Sequence, residues 1–256
     1  MTPLEAVVLG VLQGVFEWLP VSSEAILTVA LTALGTEPAT AVAAAVWLHT
    51  GTMLAALLYF RTEFSGLLRR ARRHRPAPVL GVIVGATLVT GAVGGTVFVL
   101  GLEQLVQYPS LFAAATGVLL LVTGVLHLVG EAADRVADDA GAADAVLVGA
   151  LQGLAILPGV SRSGITVFGF LYRDFTAADA FRLSFLLSVP AVLAANIGLE
   201  LLGEGVTVSP ALVLAAGTAA VVGYASIDVV LRLARRTGVA LLCFILAALA
   251  FISAAL

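Results

Sequence analysis

Two carboxylates, an arginine and a set of serine hydroxyls stand inside stretches that are otherwise apolar, in two copies of one short motif. The first copy reads Leu12-Gln13-Gly14-Val15-Phe16-Glu17-Trp18-Leu19-Pro20-Val21-Ser22-Ser23-Glu24. The second reads Leu151-Gln152-Gly153-Leu154-Ala155-Ile156-Leu157-Pro158-Gly159-Val160-Ser161-Arg162-Ser163. Each runs Leu-Gln-Gly, an apolar stretch, proline, then serine. Glu17 follows Gln13 by four residues, so the two share a helix face. A carboxylate at membrane depth costs roughly 2.5–3.5 kcal/mol on insertion scales unless it is paired, which makes a paired or functional role the default.

In the second copy Pro158-Gly159 ends one half-helix and Ser161-Arg162-Ser163-Gly164 starts the next, with Thr166 just beyond. Serine hydroxyls, unbonded backbone N–H groups and the positive end of a helix dipole converge there. An arginine fork beside them makes a phosphate site. One copy carries acid and the other base, so together they predict a pocket for an anionic group. The plainer readings are an ion pair that only ties two halves together, and Ser161 as an ordinary N-cap with Arg162 snorkelling to the interface.

The elements that must carry these residues are membrane helices. Hydrophobic residues make up 61% of the 256 and charged residues 11%, against about 25% charged in globular domains. Stretches at about 40–60, 77–100, 110–130, 179–202, 209–231 and 238–256 reach the roughly 20 residues that cross a bilayer core. Two more, about 3–33 and 144–172, are apolar but broken at the centre, each fitting a pair of half-helices that meet at a polar break buried inside the protein. The expectation is an all-α polytopic membrane protein, one domain over residues 1–256, with about six transmembrane helices and two re-entrant broken-helix hairpins. The N-terminal stretch lacks the basic start of a cleavable signal.

All 13 basic residues are arginine. Six lie in the segment Arg61–Arg75, and Arg232, Arg235 and Arg236 form a second cluster; the positive-inside rule places both in the cytoplasm. Span counting then makes the two motif hairpins enter from opposite faces, as inverted repeats over about 1–130 and 144–256. The acidic loop Glu131–Asp144 reads as a solvated linker. Cys243 lies in an apolar span with a packing role, and no CxxC or HExxH pattern points to a transition-metal site. The net charge of -3 is small and says little about partners; no nucleic-acid partner is expected.

Gln-x-x-x-Glu-x-x-Pro-x-Ser-Ser together with Pro-Gly-x-Ser-Arg-Ser-Gly-x-Thr resembles the undecaprenyl-pyrophosphate phosphatase family of the bacitracin-resistance type. The similarity covers nearly the whole chain, including Phe185-Leu186-Leu187-Ser188-Val189-Pro190. The resemblance implies a cell-membrane enzyme that removes the terminal phosphate of a C55 polyprenyl diphosphate and returns the lipid carrier for envelope glycan assembly. It puts the family's acidic motif on Gln13 and Glu17, its serine pair on Ser22 and Ser23, and its phosphate-binding Ser-Arg-Ser on Ser161, Arg162 and Ser163. In the family the second serine of the pair is a proposed nucleophile, assisted by a histidine three residues later.

The chain departs from the pattern at that histidine. The usual Ser-Ser-Thr-Gly-His becomes Ser22-Ser23-Glu24-Ala25-Ile26, and isoleucine can neither take nor give a proton. Glu24 and His49, the latter mid-membrane beside Gly51 and Thr52, are the candidate replacements; His74 reads as a solvated loop residue and His127 as structural. Three functions follow: a polyprenyl-diphosphate phosphatase, a transporter or flippase of a phosphorylated polyprenyl lipid, and a phosphatase for another amphiphilic phosphate. In the first, Glu17 binds a divalent cation (magnesium or calcium) or orients the nucleophile, Ser23 or an activated water attacks, and Gln13, Ser22, Ser161, Ser163 and Thr166 hold the substrate. The partners expected are the lipid substrate and membrane lipids, with a homodimer left open.

Overall fold

The computed structural model describes residues 1–99, 109–129, 133–157, 159–201 and 205–255; Pro158 of the second motif and Glu131 of the acidic loop lie outside the described residues. Those residues form α1 (Pro3–Phe16), α2 (Ser23–Ala33), α3 (Pro38–Tyr59), α4 (Arg61–Arg72), α5 (Pro78–Val99), α6 (Pro109–Val129), α7 (Ala142–Gly153), α8 (Arg162–Tyr172), α9 (Ala177–Leu201), α10 (Pro210–Arg236) and α11 (Val239–Ala255). Four of them, α3, α5, α9 and α10, are long and apolar enough to cross a membrane, while α6 and α11 supply shorter apolar segments. This is an all-helical polytopic membrane architecture. Local chemistry sets the starts. Thr2 and Glu5 cap α1 reciprocally before Pro3, Glu37 caps α3 before Pro38, and Ser209 caps α10 before Pro210.

The two segments expected to be broken are broken. The first stops at Phe16 and resumes at Ser23, after Ser22 takes a left-handed backbone (φ 41°). The second leaves α7 through a short 3₁₀ turn at Leu154–Ile156 and resumes at Arg162. Each break sits deep in the molecule, where Trp18, Phe181 and Phe185 form an aromatic core beneath it.

Packing joins each broken segment to an unbroken helix of the other half: α1 lies along α10 and α7 along α5, while α6 packs on α11 and α3 on α9. Exchanging α1, α2, α3, α5 and α6 with α7 to α11 maps this set of pairs onto itself. Small residues permit the close approach. Gly10 and Gly14 bracket the first Leu-Gln, and Gly149 and Gly153 the second, giving Gly-x-x-x-Gly on both helices. A Cβ on Gly14 would lie 2.7 Å from Val222 Cβ, and one on Gly149 2.6 Å from the Ala86 carbonyl.

Charge is sorted along the molecule. Tyr59, closing α3, donates to Asp228 near the end of α10 (3.2 Å), and Arg182 at the start of α9 grips Glu63 of α4 (2.7 Å). Arg135 and Arg173 hold Asp144 at the start of α7 (both 2.8 Å). These links gather twelve of the thirteen arginines at one end of the bundle; Arg162 is the exception. The α7–α8 hairpin is rooted at that end, whereas α1 and α2 are rooted at the other, where α3 begins about 33 Å away.

Candidate active site

At the centre lies Glu17, 4% exposed, with both carboxylate oxygens occupied. Arg162 Nη2 donates to Oε1 at 2.6 Å. Oε2 accepts from Gln13 Nε2 (2.9 Å) and from Ser23 Oγ (2.9 Å), and His49 Nε2 stands 3.1 Å away. Each partner comes from a different place. Gln13 is one turn earlier on α1, Ser23 opens α2 beyond the break, His49 projects from α3, and Arg162 opens α8 in the second motif. The two motif copies therefore meet through a direct ion pair, which is how a carboxylate and a guanidinium become tolerable at membrane depth.

Ser23 is the hydroxyl placed for chemistry. Its Oγ lies 3.3 Å from His49 Nε2, and His49 Nδ1 lies 2.8 Å from the Ala45 carbonyl, one turn back on α3. That carbonyl accepts from Nδ1–H, so Nε2 is the ring nitrogen that faces both Ser23 Oγ and Glu17 Oε2. A hydroxyl, a base and a group that orients the base form the constellation of an activated nucleophile. Ser22 contributes geometry: a side-chain-bearing residue in the left-handed region costs about 1–2 kcal/mol, and its hydroxyl makes no cap bond to α2. The amides of Ser23, Glu24 and Ala25 have no hydrogen-bond acceptor among the described residues, Ile26 N alone of the first turn donating to the Ser22 carbonyl (3.2 Å), and they lie at the positive end of the helix.

The second motif clamps the first. Ser161 Oγ (3.1 Å) and Ser163 Oγ (2.8 Å) both donate to the Leu19 carbonyl exposed by the first break, and Ser161 also accepts from Gly164 N (3.2 Å). Arg162 is steadied by the Ser184 carbonyl of α9 (3.1 Å).

The family described as bacitracin resistance protein BacA matches residues 6–252. The chain belongs to that family. It is 43% identical over 247 residues to a Haloarcula marismortui protein named undecaprenyl-diphosphatase, covering 91% of this chain and 90% of the relative. A Methanococcoides burtonii protein of the same name is 37% identical over 248 residues, 93% of each chain. An Acidothermus cellulolyticus protein, again so named, is 38% identical over 250 residues, covering 91% of this chain and 88% of its own.

Within this member of the family, Gln13, Glu17, Ser23, His49 and Arg162 form one connected cluster. Glu24, in the first turn of α2, is partly exposed and within electrostatic reach of His49 and Glu17, but it makes no hydrogen bond among the described residues. Ser161 and Ser163 reach the site with their protons directed at Leu19. Thr166 lies behind it, fully buried, donating to the Arg162 carbonyl (2.8 Å) and touching Ser184 Oγ (2.7 Å). His74 ends the turn after α4, and the side chain of His127 lies outside the described residues.

Sequence reasoning missed Thr52, which accepts from Gln13 Nε2 (3.2 Å) and donates to the His49 carbonyl (3.1 Å), joining the α1 and α3 parts of the site. It also missed Ser184, although that residue directly precedes the Phe185–Pro190 stretch that carries part of the resemblance.

A divalent cation finds no cage here. Glu17 already answers to Arg162, Gln13, Ser23 and His49, and among the described residues no three His, Cys, Asp or Glu groups gather as a metal site. The donor set does not fit a cation held by protein groups alone, and no step below is routed through one.

Proposed function

We propose that this protein is a membrane phosphatase that hydrolyses a polyprenyl diphosphate of the undecaprenyl type to the monophosphate, recycling the lipid carrier. The observation that carries the reading is Ser23 held between Glu17 and His49 with Arg162 one carboxylate away. Family membership and the relatives' names support the same substrate class.

The chemistry follows from the geometry. The terminal phosphoryl group sits over the amides at the start of α2 and against the N–H groups that Arg162 does not use on Glu17 and Ser184, so donors face the oxygens where charge develops. Ser23 Oγ attacks phosphorus as His49 Nε2 takes its proton; the bond to the bridging oxygen breaks, and the imidazolium gives that proton to the departing lipid monophosphate, which leaves His49 neutral again. Water, deprotonated by the same imidazole, then cleaves the phosphoserine to inorganic phosphate and restores the hydroxyl. Glu17 holds the serine and imidazole in register and offsets the imidazolium. A carrier that only binds its lipid has no use for a base against a serine hydroxyl, and on this ground hydrolysis is favoured over translocation.

The two halves are read as inverted repeats, supported by the exchange pattern of helix pairs and by hairpins rooted at opposite ends. The arginine end, including Arg61–Arg75, is assigned to the cytoplasm of a cell membrane. The deciding experiment is phosphate release from a C55 or shorter polyprenyl diphosphate by purified protein, beside Ser23→Ala. Binding of the diphosphate lipid without release of phosphate would move the transporter reading ahead.

A further inference from the structure

Of the twelve arginines at the crowded end, Arg61 donates to the Leu58 carbonyl (2.9 Å) and the other eleven fall into two groups. Arg135, Arg173, Arg182 and Arg232 are each held by an aspartate or glutamate. Arg69, Arg70, Arg72, Arg73 and Arg75, at the end of α4 and just after it, are exposed and make no ion pair or side-chain hydrogen bond among the described residues. The same holds for Arg235 and Arg236 at the end of α10. The Tyr59–Asp228 bond brings both unpaired groups to one end, so their fields add.

The depth of this surface is fixed by its connections. Helix α4 follows α3 after Phe60 alone, and only residues 73–77 separate it from α5, so it cannot reach far from the ends of two membrane helices. Leu67 is buried and Phe64 packs on the core, so α4 lies against the bundle with its arginines on the exposed side. Beside Arg235 a cavity of about 520 Å³ opens between the start of α9 and the turn into α11, and Thr176, Thr237 and Gly238 line it with Arg235.

We propose that this end of the protein is a docking surface for anionic phospholipid headgroups, gathered by the α4 arginines and seated singly in the cavity at Arg235. Its chemistry is a lipid phosphodiester facing unpaired guanidinium groups in the interfacial layer, where juxtamembrane cations are attracted to an anionic leaflet. The surface is distinct from the Glu17–Arg162 centre and goes beyond the hydrolysis proposed there.

The test uses the full-length protein in bilayer discs of phosphatidylcholine with a minority of phosphatidylglycerol, with co-purifying lipid counted by native mass spectrometry. Phosphatidylglycerol should be enriched about tenfold over its bulk share at low salt and fall toward that share as salt rises. The combined variant R69Q/R70Q/R72Q/R73Q/R75Q should lose most of the enrichment, and Arg235→Gln should lose the last lipid to dissociate. The five matching lysine substitutions should keep the enrichment, because attraction to the headgroup needs charge alone. Phosphate release in pure phosphatidylcholine should be unchanged in all variants, which separates failure of this idea from failure of the catalytic reading and from misfolding. Phosphatidylglycerol held at its bulk share, enrichment undiminished in the glutamine variants, or displacement of the lipid by an acidic peptide or RNA at lower concentration would each overturn the proposal.

Discussion

His49→Gln isolates the base from the hydrogen bonds around it. The wild-type imidazole stands 3.3 Å from Ser23 Oγ and 3.1 Å from Glu17 Oε2, with Nδ1 tied to Ala45. Glutamine returns a polar group near Ser23 but has no nitrogen that can take a proton. Glu17 keeps three of its four neighbours, Arg162, Gln13 and Ser23, so its charge stays compensated. The expected loss of stability is on the order of 1–2 kcal/mol, the scale of one or two hydrogen bonds. Removal of a general base is worth about 10²–10⁴ in rate, or roughly 3–5 kcal/mol of barrier. Single-turnover phosphate release from a polyprenyl diphosphate should therefore slow at least a hundredfold, with KM changed by less than about threefold. Ile26 follows Ser23 by one turn of α2, so adding Ile26→His to His49→Gln should restore part of the rate from the position the family motif uses. A His49→Gln enzyme within about threefold of the native rate would refute the assignment and pass the proton of Ser23 to Glu17.

Arg162→Lys keeps the charge on Glu17 but cannot span Glu17, Ser184 and a phosphoryl group at once; kcat/KM should drop about a hundredfold while the protein still folds. Gly149→Val forces a side chain against the Ala86 carbonyl and should lower stability by about 1–3 kcal/mol, read as a lower midpoint of thermal unfolding in detergent. Asp144→Ala, which frees Arg135 and Arg173 at the root of the second hairpin, should destabilise by about 2 kcal/mol, less than a fully buried pair because both arginines retain solvent access. Magnesium or calcium titrated calorimetrically into substrate-free protein should give no binding heat, any cation effect appearing only with the diphosphate present; saturable binding to the protein alone would contradict the reading of Glu17 as fully occupied.

The architecture was legible because it rests on chemistry local in sequence. Long apolar runs and proline-serine interruptions fix which segments are helical and which are broken before any tertiary contact forms. The pairing of Glu17 with Arg162 was also legible, since a membrane interior leaves a lone charge no inexpensive alternative. The partner of Ser23 was harder to read. Ile26 announced that a histidine was missing, but two substitutes remained, and nothing in the motif distinguishes Glu24, adjacent to the serine, from His49, 26 residues further on. Adjacency does not decide it: the Glu24 side chain makes no hydrogen bond to Ser23 among the described residues, whereas α3 packs beside α2 and brings His49 Nε2 to 3.3 Å from the serine. The serines of the second motif could be read as phosphate ligands because their alternative acceptor, the Leu19 carbonyl, becomes free only when the first helix breaks.

By itself the sequence determined that this chain crosses a membrane as helices, that two of its segments break at polar motifs, and that acid in one motif must meet base in the other. Those properties depend on hydrophobic length, backbone hydrogen bonding and the cost of unpaired charge, all set by residue order. Only the tertiary structure decided that α3 brings His49 against Ser23, that Thr52 and Ser184 hold Gln13 and Arg162, and that twelve arginines share one end. Each of these depends on which helices lie side by side, and that is settled by the glycine-lined contacts of α1 with α10 and of α7 with α5 across the two halves.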